Sequence, residues 1–178
     1  LLFYWKGSDP SLKPVALLHH LDVVPVEKAS WKKWDADPFS GDILNGYIYG
    51  RGALDDKGAA MSTLEAVELL LLNGFKPKRS IYLAFGHDEE VGGKRGAQAV
   101  VKALNNRGIM LSFVLDEGGA LVSGVMPGLD KEVAMIGIAE KGYVSLLLRA
   151  EAGSGHSSTP PKETAAGLLS KALVKLED

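Results

Sequence analysis

Asp88, Glu89 and Glu90 follow directly on the apolar stretch "IYLAFGH", so three carboxylates stand where a strand-like segment ends. Further acidic groups recur along the chain: Asp22 beside His20 in "HLDVVPV", Asp55 and Asp56 in "GRGALDDKG", and Asp116 and Glu117 in "LDEGG". One imidazole and four carboxylate clusters gathered in a low-dielectric crevice would be strongly unfavourable unless cations neutralised them. A divalent metal is the simplest compensation. Imidazole and carboxylates without thiolates suit Zn²⁺, Mn²⁺ or Co²⁺ rather than a cysteine-rich structural zinc. More carboxylates than one ion needs point to two ions, a known device for hydrolysis.

The elements that must bring these groups together alternate along the chain. Val15 to about Val24 is Val/Leu-rich and predicts a buried strand, with His20 and Asp22 two apart on one face and His19 on the other, in a structural position. A loop with turn residues follows, and Lys57 to Leu72 predicts a helix closed by Gly74 and Pro77. Then come a strand in "SIYLAFG", a helix in "RGAQAVVKALNNRG" stopped by Gly108, and strands in "LSFVLDEGG", "EVAMIGIAEKG" and "YVSLLLRAEAG". This order predicts an α/β fold, a mostly parallel sheet flanked by helices. Ligand groups of such sheets collect beyond the carboxyl ends of the strands, where the acidic clusters fall.

Composition excludes several other classes. With 178 residues, 46% of them hydrophobic, and 21 glycines, the chain can bury a core and has turn residues to spare. Twenty basic against 22 acidic side chains leave a net charge of −2, with no basic stripe for nucleic acid or an anionic membrane. Cysteine is absent, so there are no disulfides. The apolar run "AVELLLLNGF" is too short for a membrane span. The glycines of "GRG" and "EVGG" match neither phosphate-binding fingerprint, which argues against nucleotide binding. The chain opens on "LLFYW" without Met and closes on "ALVKLED" within a helical pattern, so it reads as an interior fragment whose compartment is unassigned.

"HLDVVPV", "YGRGALDDKG", "GHDEEVGG", "LDEGG" and "GHSSTPP" occur in an order and approximate spacing that resemble the dinuclear zinc exopeptidase family, which includes carboxypeptidase S, aminoacylase and N-acyl-amino-acid hydrolases. "DPFSG", "GRGALDDKG" and "SGHSSTPPKET" look most like the carboxypeptidase S branch. The resemblance implies a catalytic domain begun over residues 1–141 and an inserted α+β lid or dimerisation domain begun over 142–178. It implies two Zn²⁺ per subunit, with Co²⁺ or Mn²⁺ as substitutes, and a homodimer formed through the lid. A vacuolar, lysosomal or secreted setting goes with it.

The same resemblance assigns roles. His20 looks like a ligand of one metal, Asp22 like the carboxylate that orients it, and Asp55 like a bridge between both ions, followed by a cis peptide. Glu89 looks like the general base and Glu90 like a ligand of the second metal. Glu117 looks like a ligand of the first, with Asp116 its rival. His156 looks like the lid histidine that steadies the tetrahedral intermediate in a partner subunit's site. A further metal-binding histidine of the family has no candidate after His156, so the piece itself is expected to bind metal weakly and turn over little. Asp56 and Asp88 read as tuning or capping groups. Arg51 reads as either a loop anchor or a carboxylate-recognition group. The implied reaction is hydrolysis of an amide next to a C-terminal amino acid, in a peptide or an N-acyl amino acid. A noncatalytic homologue is the alternative of another class.

Overall fold

The computed structural model describes residues 1–177. It divides into two compact units, Leu1–Met135 and Ile136–Asp178. In chain order the first contains β1 (Leu2–Trp5), β2 (Val15–His20), β3 (Ile43–Leu44), β4 (Tyr47–Ile48), α1 (Lys57–Leu72), β5 (Ile81–Gly86), α2 (Ala97–Asn106), β6 (Val114–Leu115), β7 (Ala120–Val122) and β8 (Val133–Met135). The second contains α3 (Ala165–Glu177).

The central sheet has the order β1-β5-β2-β6. β2 runs parallel to both β5 and β6, while β1 lies antiparallel on the outer side of β5. Parallel strands need long crossovers, and α1 and α2 supply helices for them. Ala16 and Tyr82 pack with Leu104 of α2, whereas Leu83 and Phe85 pack with Ala60 of α1. The two helices therefore cover opposite faces. That explains why "IYLAFG" is apolar without alternation and buried from Tyr82 to Gly86.

β2 is shorter than the expected strand to Val24. The amide of Leu21 donates to the carbonyl of Gly86 at 3.1 Å, and β5 ends at that glycine, so the chain beyond has no parallel neighbour to pair with. Asp22 consequently lies outside the strand. The four aromatic or apolar residues of β1 were not anticipated as an edge strand. "EVAMIGIAEKG" is strand only at Val133–Met135, paired with β7, and "LSFVLDEGG" only at Val114–Leu115. "YVSLLLRAEAG" is not a strand. Among the described residues it finds no ladder partner, and Tyr143 and Leu147 are 93% and 94% exposed; strand propensity without a neighbour makes no sheet.

α1 has the predicted bounds and ends at Leu72, with Asn73 capping it before Gly74 at a φ of +69°. α2 begins where Asp88 accepts hydrogen bonds from the amides of Arg95 and Gly96 at 2.7 and 2.8 Å. A Cβ on Gly96 would stand 2.6 Å from Asp88 Oδ1 and 3.1 Å from the Gly86 Cα. Gly96→Ala is therefore expected to destabilise the fold by about 1–3 kcal/mol through overpacking, read as a lower urea midpoint with an unchanged slope. No helix among the described residues is long and apolar enough to cross a membrane.

Candidate metal centre

The parallel strands β2, β5 and β6 point their carboxyl ends the same way, and the acidic segments follow those ends. His20 is the last residue of β2, faces Gly86 across the ladder and is only 3% exposed. Its Nδ1 lies 3.0 Å from the carbonyl oxygen of Asp22. A carbonyl can only accept, so Nδ1 carries the proton and Nε2 is the nitrogen turned towards the acidic groups. Asp55 Oδ1 lies 2.9 Å from Nε2, and the Glu117 oxygens lie 3.2 and 3.3 Å from it.

These contacts come from far apart in the sequence. The loop before α1 carries Asp55, and Glu117 stands two residues beyond β6. Single donor atoms of His20, Asp55 and Glu90 all lie within 4.8 Å of one another, as do those of His20, Asp56 and Glu117. Asp116 belongs to neither group; its Oδ1 accepts the amide of Glu117 at 3.0 Å. The Asp55-Asp56 peptide is cis, as the resemblance implied.

Asp22 sits at the join. Its carboxylate is 3.5 Å from His20 Nδ1, farther than its own carbonyl. Instead the two carboxylate oxygens accept the amides of Glu89 at 3.2 Å and Glu90 at 3.1 Å. The acidic triplet is thus held at both ends, by Asp22 at Glu89 and Glu90 and by Asp88 through the start of α2. A cavity of about 250 Å³ opens beside it, lined by residues that include His20, Glu89, Gly92, Ala97 and Asp116.

The protonation of these groups shows how strongly the site calls for positive charge. Burial opposes the imidazolium of His20, but Glu117, the Asp22 carbonyl and Asp55 outweigh it and raise the pKa to about 9. Burial also raises Glu117, to about 7, because the charges of Asp55, Asp56 and Glu89 overcome the help from His20. Glu117 rises first through burial and then through its acidic neighbours, whereas His20 rises through those neighbours against burial. Glu89 is raised by burial and then by Glu90, Asp22 and Asp116, against a lowering by His20. Asp22 is lowered: burial works against its charge, but the amides of Glu90 and Glu89 prevail. An imidazole nitrogen and convergent carboxylates are a donor set that suits a divalent transition metal.

Other groups stand elsewhere. His19 is buried on the opposite face of β2, within 3.0 Å of Asp56 and 2.9 Å of Thr63. Strand alternation gave its face but nothing in the sequence named its partners. Asp88 likewise has no local capping signature, since the amides it accepts are seven and eight residues ahead. Arg51 places its guanidinium over the Trp34 ring, 5.4 Å from the centroid. His156 belongs to the second unit, where its Nδ1 is 2.8 Å from Ser158 Oγ and accepts the Ser158 amide at 3.3 Å.

Comparison with known proteins gives the chain a family. Residues 16–176 match the family model described as peptidase family M20/M25/M40. The mouse (Mus musculus) protein named N-fatty-acyl-amino acid synthase/hydrolase PM20D1 is 51% identical over 176 residues, which cover 99% of this chain and 34% of the mouse protein. The probable carboxypeptidase S-like 2 of Dictyostelium discoideum is 50% identical over 180 residues, covering 100% of this chain and 34% of that protein. The chain thus spans about a third of the length of these relatives. Among solved structures, the M20 family metallo-carboxypeptidase Sso-CP2 from Sulfolobus solfataricus aligns with a TM-score of 0.56 at 28% identity, over 67% of this chain and 26% of its own. Human carnosine dipeptidase 1 aligns with a TM-score of 0.53 at 26% identity, over 65% and 24%. With the family model covering nearly the whole length, and with the α/β core shared with those structures, this chain is a member of peptidase family M20/M25/M40.

Proposed function

We propose that the complete polypeptide carrying this chain is a metal-dependent hydrolase that cleaves the amide bond next to a C-terminal amino acid. The observation that carries this reading is the convergence of Asp55 and Glu117 on His20 Nε2, with Glu89 and Glu90 held alongside by Asp22. His20 and Glu117 would hold one zinc ion, Glu90 a second, and Asp55 both. Glu117 is preferred to Asp116 because its carboxylate reaches His20. Asp56 is left out of the ligand set because its Oδ2 is already engaged by His19 and by the His20 amide.

The chemistry that divalent ions supply when bound is Lewis-acid polarisation of the scissile carbonyl and acidification of a water. Glu89 does the proton work. Its raised pKa suits a base that takes a proton from water as the water oxygen bonds to the carbonyl carbon. Glu89 then returns that proton to the nitrogen as the C–N bond breaks, giving a carboxylic acid and an amine. Asp22 keeps Glu89 on station by accepting its amide, and its carbonyl fixes the tautomer of His20. Residues 142–178 would begin a lid or dimerisation domain, with His156 serving the site of a partner subunit in a homodimer.

The name of the mouse relative favours a second reading, hydrolysis of an N-acyl amino acid, whereas that of the Dictyostelium relative favours a peptide. One experiment separates them. The complete protein is stripped with a chelator, reloaded with Zn²⁺, Co²⁺ or Mn²⁺, and assayed for amino acid release from a blocked dipeptide and from an N-acyl amino acid. Activity should vanish on stripping and return on reloading, and the preferred substrate decides between the readings. Activity that persists without metal would contradict the proposal. Metal uptake without release of either product would favour a noncatalytic homologue.

A further inference from the structure

His19 is a buried imidazole that the proposed mechanism does not use. It shares the face of β2 that α1 covers, and its ring stacks on Phe85 with centroids 5.8 Å apart and planes at 27°. Both ring nitrogens are engaged. Nδ1 is 3.0 Å from Asp56 Oδ2, and Nε2 is 2.9 Å from Thr63 Oγ1 on α1. Asp56 is an acceptor, so Nδ1 donates, and Nε2 is left to accept the Thr63 hydroxyl.

Asp56 is only 2% exposed. Burying a carboxylate is strongly unfavourable unless donors surround it. Its Oδ2 has two donors, the His19 ring and the amide of His20 at 3.3 Å. The same residue opens α1, because its carbonyl accepts the Ala60 amide at 3.0 Å. The residue before it is Asp55, whose carboxylate meets His20 Nε2. A line of contacts therefore runs from Thr63 through the His19 ring to Asp56 and on to the Asp55 carboxylate.

We infer that His19 is a positioning residue of the metal centre: by anchoring the buried Asp56 carboxylate to α1, it fixes the Asp55–Asp56 turn and with it the Asp55 oxygen that faces His20. This rests on the ligand set given under the proposed function. Partners behind the ligands of a metal site set ligand orientation, and their loss typically weakens metal binding by roughly 10–100-fold. A histidine that merely packed would affect melting and leave the metal environment alone.

The test uses the complete protein with His19→Leu, His19→Asn and Thr63→Val, read by Zn²⁺ competition titration and by the visible spectrum of Co²⁺, whose bands follow coordination geometry. His19→Leu fills the space without a donor and should raise the Zn²⁺ dissociation constant roughly 10–100-fold and alter the Co²⁺ bands. His19→Asn carries an amide N–H that can replace Nδ1, and should keep the dissociation constant within about threefold of wild type. Thr63→Val frees the far side of the ring and should raise it about three- to tenfold. Wild-type affinity and spectrum in His19→Leu, or equal losses in the Leu and Asn variants, overturn the inference. If His19→Leu does not fold, Thr63→Val with wild-type affinity and spectrum overturns it equally. Failure of the wild-type protein to take up metal brings down the ligand set itself, and the inference with it. That result is distinct from normal uptake that the variants do not change.

Discussion

Replacing Glu89 by glutamine is expected to lower the turnover number of the complete protein by roughly 10²–10⁴-fold while its metal content stays unchanged. Glutamine keeps the shape and the amide that donates to Asp22, so the turn bearing Glu90 should stay in place. What disappears is a carboxylate able to accept a proton. Glu89 belongs to neither group of converging donors, whereas Glu90 beside it does. The raised pKa of Glu89 reflects first its burial and then the carboxylates around it, which is how a base is brought closer to neutral pH. Steady-state kinetics beside elemental analysis of the purified variant would measure both quantities. A variant that loses metal along with activity would make Glu89 a ligand, and one that keeps its turnover would remove it from the chemistry.

His20→Ala should act at the other end, on metal binding. Three features meet in this side chain: the nitrogen facing Asp55 and Glu117, the donor that bonds the Asp22 carbonyl, and the buried position at the end of β2. Its removal takes away the ring nitrogen that both Asp55 and Glu117 approach. The expected rise in the Zn²⁺ dissociation constant exceeds the roughly 10–100-fold typical of losing a group behind the ligands. Competition against a chromophoric chelator reads this directly. A His20→Ala protein that binds zinc like the wild type would place the metal elsewhere and undo the site described above.

The sequence was most legible where one physical cause dominates. α1 has an apolar helical stretch bounded by an entry loop and by Gly74, and its limits were correct. β5 is apolar on both faces because helices cover both, and its run of residues says so. That His20, Asp55, Glu90 and Glu117 come together was legible because most of the acidic groups follow the ends of parallel strands. What could not be read depended on partners distant in sequence. β2 stops where β5 runs out, which no pattern within β2 encodes. β1 exists because β5 offers it an edge, and "YVSLLLRAEAG" has strand-forming residues but no neighbour among the described residues. Asp22 was expected to orient His20 through its carboxylate. In the structure the carbonyl makes the shorter contact, because the carboxylate is taken up by two amides of a loop 67 and 68 residues away.

The parallel pairing of β2 also governs when the site can come into being. Its two neighbours in the sheet arrive from later parts of the chain, and His20 is 35 residues from Asp55 and 97 from Glu117. Loops of that size must be closed before any contact rewards them, so such pairings form slowly. A partly folded chain that holds β2 and β5 but has not yet added β6 carries the imidazole without Glu117. The complete cluster therefore needs β2, β5 and β6 to be paired, and its intactness reports on their assembly.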